Sequence, residues 1–172
     1  LVLVCGASSH PLRTFRGNDE LEKIFHDIDR WLLGAPRAIN RLKRMLVPTQ
    51  LAFEIAAELE INRDLIAPAD FMPYLEGLAR IDVRLFLAML AEAARHSADD
   101  LLELVDVPTL VIAGGRDGFT PADRSRAIAD AIPGAELFLV ETGTHTAPIE
   151  HPDAVNQVVD RFLSSKIDPI FF

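Results

Sequence analysis

The sequence predicts an α/β fold, a parallel sheet covered by helices and interrupted by a large helical insertion. Leu1–Cys5, Thr109–Ala113 and Leu137–Val140 are short, unbroken apolar runs rich in branched residues, the pattern of parallel strands buried on both faces. Each run is followed by a glycine that permits a tight exit, at Gly6, Gly114 and Gly143. Between the first two runs the periodicity turns helical for roughly ninety residues, far more than an ordinary crossover needs.

Composition narrows the class. A chain of 172 residues, 49% of them hydrophobic, can bury one core, and nothing in its composition suggests disorder or a disulfide scaffold. The lone cysteine, Cys5, ends an apolar strand and cannot form an internal disulfide, so a buried structural thiol in a reducing, cytoplasmic compartment is expected. A net charge of −9 disfavours nucleic acid and anionic membrane as partners, and no apolar run is long enough to span a bilayer. A small-molecule substrate is the expected partner. The chain opens directly in a strand, without methionine and with too short an apolar run for a signal peptide, so a truncated or processed start is expected.

The elements follow in order. Leu1–Cys5 reads as a central strand whose exit, Gly6 to Pro11, carries Ser8, Ser9 and His10. Neither serine sits in a glycine-flanked turn, so both are expected to line a pocket rather than act as nucleophiles, and His10 reads as a loop residue. Asn18 can cap a helix whose Leu21, Ile24, Phe25, Ile28 and Leu32 form one apolar stripe, with His26 beside it. Pro36 starts a second helix with Ile39, Leu42, Met45 and Leu46 on one side and Arg37, Arg41, Lys43 and Arg44 largely on the other, a solvated basic face. Further helices are expected at about 49–60, 69–80 and 82–95, with a candidate kink at Pro73. Ser97 to Asp100 would cap a last short helix over 101–105. After the strand at Thr109–Ala113, Thr120 and Pro121 open a helix with a capping hydroxyl, a first-turn proline and Asp123 in capping-box position.

Ligands of an open parallel sheet sit outside the carboxyl ends of its strands, so Asp117 and His145 should emerge on one edge and could touch. His151, before Pro152 at a helix start, reads as a surface residue, and Glu141 and Glu150 have no matching role. Gly114-Gly115-Arg116 lacks dinucleotide spacing, and no metal cluster or phosphate loop is evident, so no cofactor is expected.

The order strand, Gly-Arg-Asp, Thr-Pro, helix, strand, Gly-Thr-His-Thr resembles the C-terminal part of the α/β-hydrolase fold, where an acid follows one strand and a histidine the next. The resemblance is specific over about 105–165, weaker over 1–9 and architectural between. It implies a core strand with its exit loop at 1–10, a helical cap or lid at 11–104, and the C-terminal core of the hydrolase sheet at 105–172. It makes Asp117 the acid and His145 the base, and it offers Phe53, Phe71, Met72, Tyr74, Phe86, Met89 and Phe119 as candidates for an apolar substrate pocket, against the alternative that the residues at helical spacing are simply cap core.

No G-x-S-x-G, the pattern of the family's nucleophile turn, occurs in the sequence. The resemblance thus implies hydrolysis of an ester or similar bond in a small, largely apolar substrate, with the nucleophile supplied by an N-terminal half outside this sequence and this chain inactive alone. An aspartate nucleophile there would instead suit dehalogenation or epoxide opening. A non-catalytic binding scaffold and a functionless fragment are the competing readings. The strand at 1–5 would leave an apolar edge, so pairing with that half, or with a second copy, is expected.

Overall fold

The computed structural model describes residues 1–13, 34–59 and 61–166. The helix expected from Asn18, with Leu21 to Leu32 and His26, lies outside the described residues, as does Glu60. Three parallel strands, β1 (Val2–Val4), β2 (Leu110–Gly114) and β3 (Glu136–Val140), form a sheet in that order. Val2 is level with Leu110, Leu110 with Glu136, and Gly114 with Val140. Because side chains alternate, Leu110 and Ile112 point to one face and Val111 to the other. On the first face they pack with Cys5, Val140, Val155, Val158 and Phe162, covered by the helix Pro152–Lys166. On the second, Val111 meets Ile128 of the helix Ala122–Ala131 and Ile132 at its C-terminal end. Only β2 is buried throughout; β1 and the first half of β3 are partly or fully exposed, because each has one neighbouring strand among the described residues.

The inserted segment contains α1 (Pro36–Leu46), α2 (Gln50–Leu59), α3 (Pro68–Arg80) and α4 (Val83–Arg95); α5 (Ala122–Ala131), α6 (Ala147–Glu150) and α7 (Pro152–Lys166) belong with the sheet. Proline at the first position starts α1 and α3, and the Asp82 carboxylate accepts the Arg84 N–H to cap α4. Helix α3 continues through Pro73. Phe53, Ile61, Ile66, Phe71 and Leu75 make one core of the insertion, and Leu12, Val83 and Leu87 a second.

Three expectations are corrected. On α1, Leu42, Met45 and Leu46 face solvent. Asn40 bonds the Asp82 carboxylate and accepts the Val83 N–H, while Lys43 sends its ammonium to the Leu78 (3.0 Å) and Ile81 carbonyls at the end of α3. These polar anchors turn Ile39, Asn40 and Lys43 inward and the larger apolar residues out. Near residue 100 the chain forms a 3-10 turn, Asp99–Leu104, without a side-chain cap, because Ala98 stands at its N-cap and the Asp99 carboxylate is engaged by Ser8. Helix α5 begins at Ala122 with no side-chain cap, because Pro121 rather than Thr120 stands at its N-cap, and the Thr120 hydroxyl bonds Asp117 and the Cys5 carbonyl.

The insertion leaves and rejoins the sheet at one place. The Ala98 N–H donates to the Ser8 carbonyl and the His10 N–H to the His96 carbonyl, both at 2.9 Å, so the outgoing and returning strands clasp antiparallel around Ser9 and Ser97. Cys5 and His10, at either end of the outgoing strand, adopt left-handed backbone conformations, φ 45° and 42°.

Candidate active site

Strands β2 and β3 end level, so their exit loops lie side by side. The Gly115 N–H donates to the Val140 carbonyl and the Arg116 N–H to the Gly143 carbonyl, both at 2.8 Å. The approach demands glycine at the end of β2, where a Cβ on Gly114 would lie 2.2 Å from the Thr144 carbonyl oxygen. Asp117 and His145, 28 residues apart, meet in this junction, with Asp117 Oδ2 at 3.0 Å from His145 Nδ1. The acid side chain has no exposed surface, whereas that of the histidine is 37% exposed.

Asp117 Oδ1 accepts the Phe119 and Thr120 N–H groups at 2.8 Å each. The Thr120 hydroxyl lies 2.8 Å from Oδ2 and 2.9 Å from the Cys5 carbonyl, so its one proton bridges the acid to the end of β1. Burial alone would raise the Asp117 carboxyl; hydrogen bonds from His145 and Thr120 outweigh it and hold it below the ordinary carboxylate value. An ionised carboxylate only accepts, so the neutral imidazole carries its proton on Nδ1 and Nε2 is the basic nitrogen. Phe119 lies against the ring, centroids 5.1 Å apart and planes tilted by 32°. Beneath the loop, the Cys5 sulfur is 3.9 Å from the Thr144 carbonyl, and burial pushes its thiol up to about 11.

Two residues of this constellation are missed by sequence reasoning. Thr120 has the spacing of a helix cap and serves the acid instead. Glu150, one short helix beyond His145, is buried and accepts the Thr144 N–H at 2.6 Å and the Thr144 and Thr146 hydroxyls at 2.5 and 3.0 Å. It stands five positions after His145, a spacing that the turn of α6 folds back onto the loop; that spacing was the available signal. His151 is half-buried, its Nε2 3.1 Å from the Thr142 hydroxyl, and stands outside the Asp117 pair.

The other candidates are dispersed. The Ser8 hydroxyl donates to Asp99 and Ser9 is buried in the clasp. Phe53 and Phe71 pack edge to face inside the insertion, 6.1 Å between centroids, with Met72 against the same core. Tyr74 stacks on Phe71 at 5.0 Å and is exposed, as is Met89; Phe86 is half-buried. Phe119 is the candidate that joins Asp117 and His145. Among the described residues no group of three or more His, Cys, Asp or Glu side chains is arranged to hold a metal ion, and no helix is long and apolar enough to cross a membrane.

Against this geometry stand the comparisons. Residues 88–168 match an α/β-hydrolase family model described as TAP-like protein. An esterase from Exiguobacterium antarcticum superposes with a TM-score of 0.66 over 95% of this chain and 56% of its own, at 16% identity. The chain carries an α/β-hydrolase fold. A thermophilic esterase from Thermogutta terrifontis shares the fold with a TM-score of 0.56 at 21% identity, over 98% of this chain and 56% of its own. In sequence, this α/β-hydrolase-fold chain is 29% identical to the Xenopus laevis monoacylglycerol lipase abhd6-A over 149 residues, 78% of this chain and 41% of the lipase. It is 30% identical to the pimeloyl-[acyl-carrier protein] methyl ester esterase of Neisseria meningitidis over 76 residues, 44% of this chain and 24% of the esterase. The aligned stretches are the C-terminal portion of such proteins, and the chain spans less than half the length of these curated relatives.

Proposed function

We propose that this chain supplies the acid and the base of a hydrolase acting on an ester or similar acyl bond of a small, largely apolar molecule. The observation that carries the reading is the 3.0 Å bond between a fully buried Asp117 and a partly exposed His145 at adjoining strand ends. The relatives named as a lipase and an esterase support the ester class. Phe119, lying against the base, supports an apolar substrate.

In this reading a serine hydroxyl outside the present sequence attacks the acyl carbon while His145 Nε2 takes its proton. The resulting imidazolium is stabilised by Asp117, which stays ionised. His145 then returns the proton to the departing alkoxide as the carbon–oxygen bond breaks, leaving an acyl-enzyme and free alcohol. Water repeats the sequence: His145 takes its proton, the hydroxide oxygen joins the acyl carbon, and the proton returns to the serine as the acid leaves. The complement bearing that serine pairs with the open edge of β1, or a second copy occupies the edge. The buried free thiol of Cys5 suits a reducing cytoplasm.

The isolated 172-residue chain is expected to leave p-nitrophenyl butyrate unhydrolysed. The protein completed by its nucleophile half turns it over, and Asp117→Asn or His145→Ala lowers kcat by roughly 10⁴-fold. Retention of turnover in both variants, or steady turnover by the isolated chain, overturns the assignment.

A further inference from the structure

Glu150 is a buried carboxylate that the acid-base pair does not use. Its oxygens collect four donors. Three come from the residues flanking the base: the Thr144 N–H and the Thr144 and Thr146 hydroxyls. The fourth is the Asn62 N–H, at 2.9 Å, from the inserted segment 88 residues away. His145 thus sits between two residues held by one carboxylate, and that carboxylate is also bonded to the chain just beyond α2. Buried charge is retained only where hydrogen bonds compensate it, so each donor left without its acceptor is felt by the whole loop.

We propose that Glu150 is a positioning residue. It holds the Thr144–Thr146 loop so that His145 Nδ1 stays on Asp117, and it couples the loop to the helical insertion through Asn62. Glu141 has no such role, being exposed at the start of the loop. The proposal rests on the reading of His145 as the base. A displacement of the insertion that breaks the Asn62 bond loosens the base, so the element over the substrate and the element that moves the proton respond together.

Glu150→Gln separates positioning from mere folding. Glutamine keeps the shape but has one acceptor oxygen, so either the Thr144 or the Asn62 amide faces another donor. The readout is the His145 Nδ1–H proton of the full chain by NMR, below the unfolding transition, where a purely structural role leaves it unchanged. Exchange of this proton is expected to accelerate about tenfold or more, as for one lost hydrogen bond to a charged group. Thr144→Val removes, at constant shape, the hydroxyl that donates to Glu150 and accepts the Thr146 N–H, and decides the matter if the first variant does not fold; its exchange is also expected to quicken. Asn62→Pro deletes the inserted segment's N–H, and an unchanged signal there overturns the coupling. A folded Glu150→Gln or Thr144→Val chain with wild-type exchange overturns the positioning role. Since this proton reports the loop whether or not an ester is cleaved, failure here is distinct from failure of the hydrolase reading, which the Asp117 and His145 turnover variants test.

Discussion

Asp117 shows how a single side chain is fixed by chemistry from three parts of the chain. Its own turn supplies the Phe119 and Thr120 amides, β3 delivers His145, and the Thr120 hydroxyl links it to Cys5. Asp117 and His145 were legible in the sequence because each follows a recognisable strand, and parallel pairing brings the two strand ends level. Thr120 and Glu150 were not. For each, a partner that fixes it is remote, the Cys5 carbonyl 115 residues from Thr120 and the Asn62 amide 88 residues from Glu150, beyond the reach of periodicity; the nearness of Glu150 to the His145 loop gave only a hint. The cysteine gives a test at this scale. With its thiol pushed up to about 11 by burial and by the nearby Asp117 charge, Cys5 stays protonated as pH rises through 8, the ordinary thiol range, and remains a poor nucleophile. Ellman's reagent at about pH 8 should label it only after denaturant is added; rapid labelling of the folded chain would show that the floor beneath the His145 loop is open.

At the level of elements, the loops after β2 and β3 depend on glycine. Gly114→Ala places a methyl group 2.2 Å from the Thr144 carbonyl oxygen and 2.7 Å from that of Gly143, so backbone must move. A loss of about 1–3 kcal/mol in urea unfolding is expected, together with weakening of the His145–Asp117 bond. An unperturbed chain would mean that the loop after β3 shifts freely. Periodicity located α1 to α4 to within a residue or two, and the strands likewise, since these rest on local patterns. Which face of α1 turns inward was illegible. Its helical wheel offers an apolar and a basic side, and the choice was made by distant acceptors, Asp82 and the carbonyls ending α3, reached by Asn40 and Lys43.

For the molecule as a whole, the open side of β1 matters most. Leu1 and Val4 are 50% and 39% exposed on the side of β1 that pairs with no strand among the described residues, an arrangement that invites strand addition. In light scattering the isolated chain should run above its 19.0 kDa monomer mass, and Val4→Lys should shift it toward monomer. A monodisperse monomer without the substitution would mean that the edge is protected.

The clasp between Ser8–His10 and His96–Ala98 bears on how such a protein diversifies. Both ends of the insertion are tied at one point, so the segment between them is a closed excursion from the sheet. Doubling such a loop costs only about 0.6 kcal/mol of closure entropy. Material spliced in between His10 and His96 keeps the tie to the His145 loop only where it still presents a backbone amide to Glu150, as Asn62 does. Change in the excursion and change in the Asp117–His145 loops then meet, among the described residues, at the Asn62–Glu150 hydrogen bond.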